Sequence, residues 1–313
     1  MTAPFRLGIV GGGRMGRTHL RALAGHDGIA CVAVAERFDG PAAQLRAAGH
    51  TVYASAAEMY RSEELDGVLL TVPTDQHIAA ATEALQAGVS VLCEKPFGVD
   101  ADEIRELGAF ASARGLALQI GYWRRFIPGL QELKQAIDSG ELGELHLLVC
   151  SQWDELPPAL GFRKHSGGIY LDMGVHEIEQ ARWLLGEDIV DVVAQAHPRT
   201  LDPDAQEDVD GAQALVSFAS GTQALISLGR FFPGGDIVTA ELFATGGHAR
   251  VEVVTPETGE EPQLEALRRQ ALAFARFARG GQPEGTTAED AAVVLETAHR
   301  LTRAAGIAVL ADA

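Results

Sequence analysis

Cysteine and aromatic residues are scarce in this chain. Its 313 residues include 3 cysteines, and Phe, Tyr and Trp together make up 6% of it. Cys31, Cys93 and Cys150 stand far apart and form no C-x-x-C pair, so the sequence predicts neither a disulfide framework nor a structural zinc site. We therefore expect a protein of a reducing compartment.

Positive charge is also in short supply. The chain has 25 Lys and Arg against 43 Asp and Glu, a formal net charge of −18. Nucleic-acid binding needs clustered Lys and Arg opposite phosphates, and the sequence has no such cluster, so we expect no nucleic-acid partner. The acidic excess predicts a well-solvated surface.

Long apolar runs are missing as well. No run reaches the ~18 residues of a membrane span, and Met1–Phe5 lacks the basic and apolar regions of a signal peptide. We expect a cytoplasmic protein with no membrane partner. The apolar share of 47% is ordinary for a globular protein, and at roughly 100–200 residues per domain the length predicts two domains.

The first third of the chain alternates short apolar runs with longer amphipathic ones. Near-continuous apolar runs are typical of parallel strands that helices cover on both faces. A helix is predicted at Thr74–Ala87, capped by Asp75 and stopped by Gly88, and another at Asp100–Arg114, ended by Gly115. This alternation predicts a doubly wound parallel sheet. The predicted strands are Phe5–Val10, Ala30–Ala35, Asp66–Val72, Val89–Cys93 and Leu116–Ile120.

The pattern changes near Gly121. Between Asp188 and about Val254, strand-like runs follow closely on one another, separated by turn signals such as Ser220-Gly221, which predicts antiparallel pairing. The helices predicted in this half are Trp123–Ser139, Gly168–Leu185, Gln263–Arg279 and Ala288–Ala305. We therefore predict an N-terminal α/β domain over residues 1–120. An α+β domain with a large open, mainly antiparallel sheet follows over 121–313, its last helix a candidate to pack back on the first domain.

A glycine-rich turn follows the first predicted strand and opens a predicted helix. Gly11-Gly12-Gly13-Arg14-Met15-Gly16 contains G-x-G-x-x-G, which in this setting predicts a Rossmann dinucleotide site. Gly11 permits a tight turn, Gly13 lets the backbone approach a pyrophosphate, and Gly16 lets helix and strand pack closely. The helix N-terminus, with Arg14 and Met15, faces the anion.

Glu36 ends the second predicted strand, where such sites place a carboxylate for the adenosine ribose hydroxyls. A carboxylate accepts hydrogen bonds from both hydroxyls of NAD but repels the 2′-phosphate of NADP, so we expect NAD. Arg37 comes next and could hold a phosphate, which keeps NADP as the alternative. The alternative for the whole motif is a plain glycine turn beside an incidental surface glutamate.

Two further motifs carry a family resemblance. Glu94-Lys95-Pro96 ends a strand, and Ser166-Gly167-Gly168-x-x-x-Asp172-x-Gly174-x-His176 comes later. With the glycine-rich turn, in this order and spacing, they resemble the glucose-fructose oxidoreductase, inositol dehydrogenase and MocA family over essentially the whole chain. The resemblance implies a Rossmann domain, a second domain on an open sheet, bound NAD or NADP, and homodimers or homotetramers formed through that sheet.

The catalytic candidates are Lys95, Asp172 and His176. Asp172 and His176 are four apart on a predicted helix and so share a face. Oxidising a secondary alcohol requires removal of the hydroxyl proton, and His176 suits the general base. Lys95 would stabilise the developing alkoxide, and Asp172 would orient substrate hydroxyls. A structural polar pair is the alternative, and a metal site lacks the cysteine or histidine cluster that would complete it.

The resemblance adds cofactor contacts along the loop Thr71-Val72-Pro73-Thr74, and places Glu94 near the nicotinamide. His77, in the next turn, is another candidate, with a solvent-exposed helix histidine as the alternative. Arg163 is a candidate nicotinamide contact, although the loop between it and Ser166 is shorter than in many members.

Besides the catalytic residues, the resemblance implies Arg124 as a substrate candidate, because residues 121–126 resemble a segment whose arginine reaches the substrate in inositol dehydrogenases. Asp154 is a second candidate, since it lies at the end of a predicted strand and could bind hydroxyls. Arg125 is interpreted as a salt-bridge partner, and a plain loop is the alternative for Asp154. Glu177 stands where inositol dehydrogenases often have Asp.

The predicted function is NAD-dependent oxidation of a secondary CH–OH of a polyol or sugar, of the inositol dehydrogenase type. The alternatives are an aldose, amino sugar or deoxysugar dehydrogenase, an NAD-dependent glycosidase, and a non-catalytic NAD sensor. A sensor should have lost part of the Lys-Asp-His set, which this chain keeps.

Overall fold

The computed structural model describes residues 3–163, 166–197 and 208–307, which form two compact units. The first takes the described residues up to Trp123 together with Leu264–Ala292, and the second takes Arg124–Gln263 and the described residues from Val293 onward. Neither unit is one continuous stretch, because the chain returns to the first unit at Leu264. The domain bounds 1–120 and 121–313 therefore stay a prediction.

The first unit is built on a six-stranded, wholly parallel sheet with the order β3-β2-β1-β4-β5-β6. This is the Rossmann strand order, and it confirms the predicted doubly wound sheet. The sequence pattern misses only β3, a two-residue strand at the edge. The strands are β1 Phe5–Val10, β2 Ile29–Ala35, β3 Val52–Tyr53, β4 Gly67–Leu70, β5 Ser90–Cys93 and β6 Leu118–Ile120.

Two of the helices between these strands start at a side-chain cap, Ser55 or Asp100. Asp100 caps its helix, since its Oδ1 accepts from the backbone N–H groups of Asp102 (2.8 Å) and Glu103 (3.2 Å). The predicted cap at Asp75 is wrong: Asp75 lies inside a 3₁₀ turn, Thr74–Gln76, and the α-helix begins only at His77. The helices are α1 Arg14–Leu23, α2 Asp39–Ala47, α3 Ala56–Ser62, α4 His77–Gln86 and α5 Ala101–Ala113.

The core of the first unit lies against the central strands. Leu7 and Ile9 of β1 and Leu69 of β4 are buried in it. A later helix, Glu261–Ala278 (α9 in chain order), adds Phe274, whose ring meets that of Phe5 edge to face with centroids 5.7 Å apart. Burial of each phenylalanine side chain contributes about 1.5–3 kcal/mol. This contact anchors the returning segment on the first unit.

The second unit is built on a six-stranded mixed sheet with the order β12-β11-β7-β10-β9-β8. Four of its pairings are antiparallel, as predicted, and the central pair β7–β10 is parallel. Turn spacing predicts pairing between strands that follow one another in the chain. Because β7 and β10 are separated by two other strands in the chain, their parallel pairing could not be predicted in this way. The strands are β7 Leu145–Trp153, β8 Ile189–Ala196, β9 Gly211–Phe218, β10 Gln223–Gly229, β11 Ile237–Ala244 and β12 Gly247–Val254.

The helical segments of the second unit are more broken than periodicity predicts. The predicted helix Trp123–Ser139 is a 3₁₀ turn, Trp123–Phe126, followed by a helix that starts at Pro128, because proline lacks the N–H to continue a preceding turn. The predicted Gly168–Leu185 is a π-helical turn, Tyr170–Gly174, that runs into an α-helix. The α-helices are α6 Pro128–Asp138, α7 Leu160–Arg163 and α8 Val175–Leu185. The last helix, α10 Ala288–Ala304, begins in the first unit and belongs to the second from Val293 onward.

No helix in the described part of the chain has both the length and the apolar composition to cross a membrane.

Candidate functional site

The carboxyl edge of the first sheet gathers the predicted cofactor residues of this unit. A ladder of backbone hydrogen bonds continues past the strand ends: Gly11 N–H to Ala35 O (2.9 Å), Glu94 N–H to Leu70 O (2.9 Å) and Gly121 N–H to Cys93 O (2.7 Å). In an open α/β sheet, ligands bind at this edge, where the strand order reverses between β1 and β4. The fold therefore brings the glycine-rich turn, Glu36, Thr71 and Glu94-Lys95 to one edge.

The three motif glycines meet different surroundings. Gly11 has φ +101°, a left-handed conformation that favours glycine. A Cβ on Gly16 would lie 2.1 Å from Gly11 O. Because that atom belongs to the backbone, a change of side-chain rotamer cannot remove the clash. A Cβ on Gly13 would meet no heavy atom within 4 Å, so this glycine leaves open space at the N-cap of α1. These residues fit a dinucleotide, since the open space lies where helix N–H groups would face a pyrophosphate.

Arg14 and Met15 form the first helical positions of α1, the former exposed and the latter half-buried. They lie beside the open space at Gly13, as the motif predicts.

Glu36 is buried and already bonded to the backbone around it. Its Oε2 accepts from the Gly12 N–H (2.7 Å) and its Oε1 from the Phe38 N–H (2.8 Å). The carboxylate thus ties the glycine-rich turn to the end of β2, and each oxygen keeps a further lone pair for a ribose hydroxyl. Arg37 is exposed, and its guanidinium lies 4.7 Å from the centre of the Phe38 ring.

The segment after β4 is held to the glycine-rich turn and to the Lys95 loop. Thr71 Oγ1 donates to Gly11 O (2.7 Å). His77 is buried, so the alternative of an exposed histidine is wrong, and its Nδ1 and Nε2 lie 2.7 Å from Pro96 O and 2.9 Å from Val72 O. Burial lowers the pKa of His77, although both carbonyl contacts favour protonation. His77 therefore connects two loops of the edge, while Pro73 is exposed.

Glu94 lies in a polar contact that the sequence motifs did not reveal. His19 of α1 is buried, and its Nε2 is 2.8 Å from Glu94 Oε1. Burial by itself raises the pKa of Glu94, but the His19 hydrogen bond and the charges of His19 and Lys95 outweigh it, so the pKa of Glu94 is lowered. Glu94 is therefore an anion beside Lys95, which is half-buried.

In the second unit, Asp172 and His176 lie on either side of the junction between the π-helical turn and α8. Asp172 is half-buried and His176 is buried. Arg230, which directly follows β10, holds Asp172 through its Nη1, 2.8 Å from Asp172 Oδ2. A π-helical turn inside a helix is common at functional sites. Asp172 is thus set in an irregular turn, whereas His176 lies in the first turn of the regular α-helix.

Asp154 follows β7 in the same unit. Burial raises the pKa of Asp154, the hydrogen bond from Gln152 lowers it, and the nearby charges of Asp236 and Asp172 raise it further, so the net shift is upward. Gln152 Nε2 donates to Asp154 Oδ1 (3.0 Å). Asp154 is therefore an electrostatic neighbour of Asp172, as a shared substrate site requires.

Arg124 is buried and committed to protein partners. Its Nη1 donates to Glu177 and its Nη2 to Gln152 Oε1 (2.7 Å). Burial raises the pKa of Glu177, with Arg124 opposing that shift. Arg124 therefore reaches Asp154 through Gln152. The role of Arg124 as a substrate residue stays a prediction, and Arg125 pairs with Glu179.

Arg163 is buried in an acidic cluster of the second unit. Its Nε lies 3.0 Å from Asp208 Oδ2 and its Nη2 lies 2.8 Å from Asp210 Oδ1. Arg230 Nε lies 3.0 Å from the same Asp208 oxygen. The guanidinium of Arg163 is thus held by carboxylates, and its role as a nicotinamide contact stays a prediction.

Sequence reasoning missed His19, Gln152, Asp208 and Arg230. The partners of His19 and Arg230 lie far away in the chain: Glu94 is 75 residues from His19, and Asp172 is 58 residues from Arg230. No local motif marks such pairs. The only available signal was the residue type, an arginine directly after an apolar strand.

Two sequence-family profiles match the chain. One, described as an oxidoreductase family with an NAD-binding Rossmann fold, matches residues 5–122, and the other, described as the GFO/IDH/MocA C-terminal domain, matches residues 130–250. The Rhizopine catabolism protein MocA of Rhizobium meliloti is 41% identical over 298 residues, which cover 95% of this chain and 94% of that protein. Inositol 2-dehydrogenase of Rhizobium meliloti (strain 1021) is 33% identical over 85% of this chain and 81% of that protein.

Solved structures agree with these sequence matches. A putative myo-inositol dehydrogenase from Sinorhizobium meliloti 1021 superposes with a TM-score of 0.89 at 29% identity, covering 96% of this chain and 97% of that one. A scyllo-inositol dehydrogenase from Lactobacillus casei, solved with bound NAD(H) and scyllo-inositol, superposes with a TM-score of 0.85 at 26% identity, covering 96% of each chain.

Proposed function

Because the chain belongs to the GFO/IDH/MocA family of NAD-binding oxidoreductases, we propose that it oxidises a secondary alcohol of an inositol or a closely related polyol to the ketone. It is an NAD-dependent dehydrogenase that acts on CH–OH groups. The observation that carries the specific proposal is the complete Lys95, Asp172 and His176 set in a chain whose relatives include inositol dehydrogenases and MocA.

The first unit supplies the cofactor residues in this proposal. Gly11, Gly13 and the N-terminus of α1 would hold the pyrophosphate, and Glu36 the adenosine ribose, while Thr71, Pro73 and His77 line the adjoining loop. NAD, when bound, accepts the hydride from the substrate carbon. Arg37 and Arg163 remain candidate contacts to the cofactor.

Each catalytic side chain has one task. His176 accepts the hydroxyl proton, because histidine is the side chain most often used as a general base near neutral pH. The Lys95 ammonium donates a hydrogen bond to the same oxygen and stabilises the developing negative charge. Asp172, with Asp154, accepts hydrogen bonds from neighbouring hydroxyls and so selects a polyol. Arg124 supports Asp154 through Gln152.

The substrate class is tested with a panel read by absorbance of reduced cofactor. The panel contains myo- and scyllo-inositol, rhizopine, aldoses and an aryl glycoside, each with NAD and NADP. Rhizopine is included because the 41% identical relative is named for its catabolism. Turnover of a cyclic polyol supports the proposal, whereas turnover of aldoses alone, or release of the aryl group without net NADH, contradicts it.

The chemistry is tested with Lys95→Ala and His176→Ala. Each should lower turnover about 10²–10⁴-fold, the usual worth of one acid–base or oxyanion contact, while NAD affinity is retained. The two losses should be non-additive because both groups act on one oxygen. Lys134→Ala and His248→Ala are matched controls, since both side chains form ion pairs away from the motifs. Normal kcat in folded His176→Ala would show that another group is the base.

We also propose that the enzyme is a cytoplasmic homodimer or homotetramer formed through the second sheet. One face of that sheet carries an apolar row across four paired strands, Val193, Leu215, Leu225 and Val149. Val193 and Leu215 are exposed, and a contiguous apolar face is typical of an interface between subunits. The three cysteines are free, which suits a reducing compartment.

A further inference from the structure

Arg230 is the largest of the fully buried side chains, with 0% exposure. It directly follows β10, and its backbone N–H donates to Asp210 O (2.7 Å), so the main chain at this point is fixed. A buried guanidinium is costly unless carboxylates surround it. The sequence motifs gave this residue no role.

The guanidinium bridges two acidic residues. Nη1 lies 2.8 Å from Asp172 Oδ2, and Nε lies 3.0 Å from Asp208 Oδ2. Asp208 is in turn held by Arg163, whose Nε is 3.0 Å from the same oxygen. Asp172, Arg230, Asp208 and Arg163 thus form a series of ion pairs in which acidic and basic side chains alternate, and Asp172 is at one end of it.

Charge balance around Asp172 also depends on Arg230. The charge of Asp172 contributes to the raised pKa of Asp154, and Arg230 opposes it. Asp154, Asp172 and Asp208 would repel one another without this cation. Arg230 therefore allows carboxylates to gather where substrate hydroxyls need acceptors.

We propose that Arg230 is a positioning residue of the active site, which fixes Asp172 through Oδ2 and thereby orients this carboxylate toward the hydroxyls of the substrate. The inference rests on the proposed function, in which Asp172 contacts the polyol. Asp172 needs such a support because it lies in the π-helical turn Tyr170–Gly174, outside the regular hydrogen-bond ladder of α8. Arg230 acts through Asp172 and touches no substrate itself.

The experiment compares Arg230→Met and Arg230→Lys with wild type under saturating NAD. Methionine keeps an unbranched, space-filling chain without charge, and it should lower kcat/KM for the polyol about 10–100-fold, as expected when a substrate-orienting group is misplaced. Lysine retains the charge but cannot form the two-pronged bridge, so its kcat/KM should fall between those of wild type and Arg230→Met. The KM for NAD, measured separately at saturating polyol, should stay within about twofold in both.

Separate measurement of kcat and of the two KM values distinguishes a positioning role of Arg230 from a merely structural one. Loss of folded protein lowers the apparent kcat but leaves both KM values unchanged, whereas misplacement of Asp172 raises the polyol KM as well. Arg182→Met is the matched control: Arg182 pairs with Asp188 in the same unit and should leave the polyol KM unchanged. If Arg230→Met does not fold, the same measurements are made on Arg230→Lys.

Asp172→Asn completes a double-mutant cycle. In that background Arg230→Met, or Arg230→Lys if Met does not fold, should change kcat/KM less than about twofold, because its effect runs through the Asp172 carboxylate. Two results would overturn the role of Arg230 while leaving the proposed function intact. One is a fully additive loss in the double variant, and the other is an unchanged polyol KM in the Arg230 variants when Asp172→Asn is itself defective. Normal polyol turnover by Asp172→Asn would instead overturn the proposed role of Asp172, and this inference with it.

Discussion

Single glycine positions show most directly how local geometry is linked to cofactor binding. Gly13→Ala and Gly16→Ala add the same methyl group three residues apart. At Gly16 the methyl would lie 2.1 Å from Gly11 O, so we expect a loss of about 1–3 kcal/mol in unfolding free energy. At Gly13 the methyl meets open space, so the melting temperature should hardly change while the Kd for NAD rises about tenfold or more.

Thermal unfolding and NAD titration by fluorescence measure the two effects separately. Gly40→Ala is the control, since a Cβ there also meets open space, but in α2. Unchanged NAD affinity in folded Gly13→Ala would contradict the placement of the pyrophosphate.

Glu36 combines two tasks at the residue scale. Its oxygens accept the N–H groups of Gly12 and Phe38, so the residue shapes the turn as well as the ribose site. In Glu36→Gln, one of these backbone N–H groups faces the side-chain NH₂ and loses its hydrogen-bond acceptor. An unsatisfied buried donor lowers the unfolding free energy by about 1–3 kcal/mol. We expect weaker NAD binding without a gain in NADP use.

The measurement is kcat/KM for both cofactors, and wild type should prefer NAD. Glu58→Gln is the control, because exposed Glu58 also accepts a backbone N–H, that of Ala54. A higher kcat/KM with NADP in the wild-type enzyme would show that the ribose assignment is wrong.

At the scale of elements, the capping residue of α5 fixes where this helix begins, close to the carboxyl edge of the first sheet. Asp100 accepts two backbone N–H groups at the start of α5, shortly after Lys95. Asp100→Ala should lower the unfolding free energy by about 0.5–2 kcal/mol, with kcat and both KM values unchanged. Asp102→Ala, which removes an exposed carboxylate of the same turn, should cost less. Equal melting temperatures for Asp100→Ala and wild type would refute the cap.

Elements also show where periodicity misleads. The apolar spacing of Gly168–Leu185 indicates one helix, yet the chain forms a π-helical turn before α8. Residues 173–181 are all buried, so no alternation of polar and apolar faces reveals the π-helical turn. Pro128 was a local signal for the break after Trp123–Phe126, because the residue before a proline avoids the α region, as the extended Ile127 does.

At the scale of the whole molecule, the apolar outer row of the second sheet predicts the assembly. Leu215→Glu places a charge in the middle of that row and should convert the oligomer to a monomer in size-exclusion chromatography with light scattering. Val99→Glu, an exposed apolar position of the first unit, should leave the mass unchanged. A monomeric wild-type protein, or an intact oligomer in Leu215→Glu, would contradict the proposed interface.

The sequence by itself determined the parallel α/β unit and the glycine-rich turn with Glu36 at the next strand end, because each depends on neighbours close along the chain. The catalytic roles of Lys95, Asp172 and His176, which rest on the family resemblance, stay a prediction. Alternating elements, strand-end positions and helix N-termini are local properties. Only the tertiary structure decided that Phe274 returns to pack on Phe5, that β7 pairs in parallel with β10, and that Arg230 holds Asp172 across 58 residues. Such contacts form between chain segments that meet only after folding. A buried charge in particular needs a partner, and the packing of the strands determines which residue is close enough to provide it.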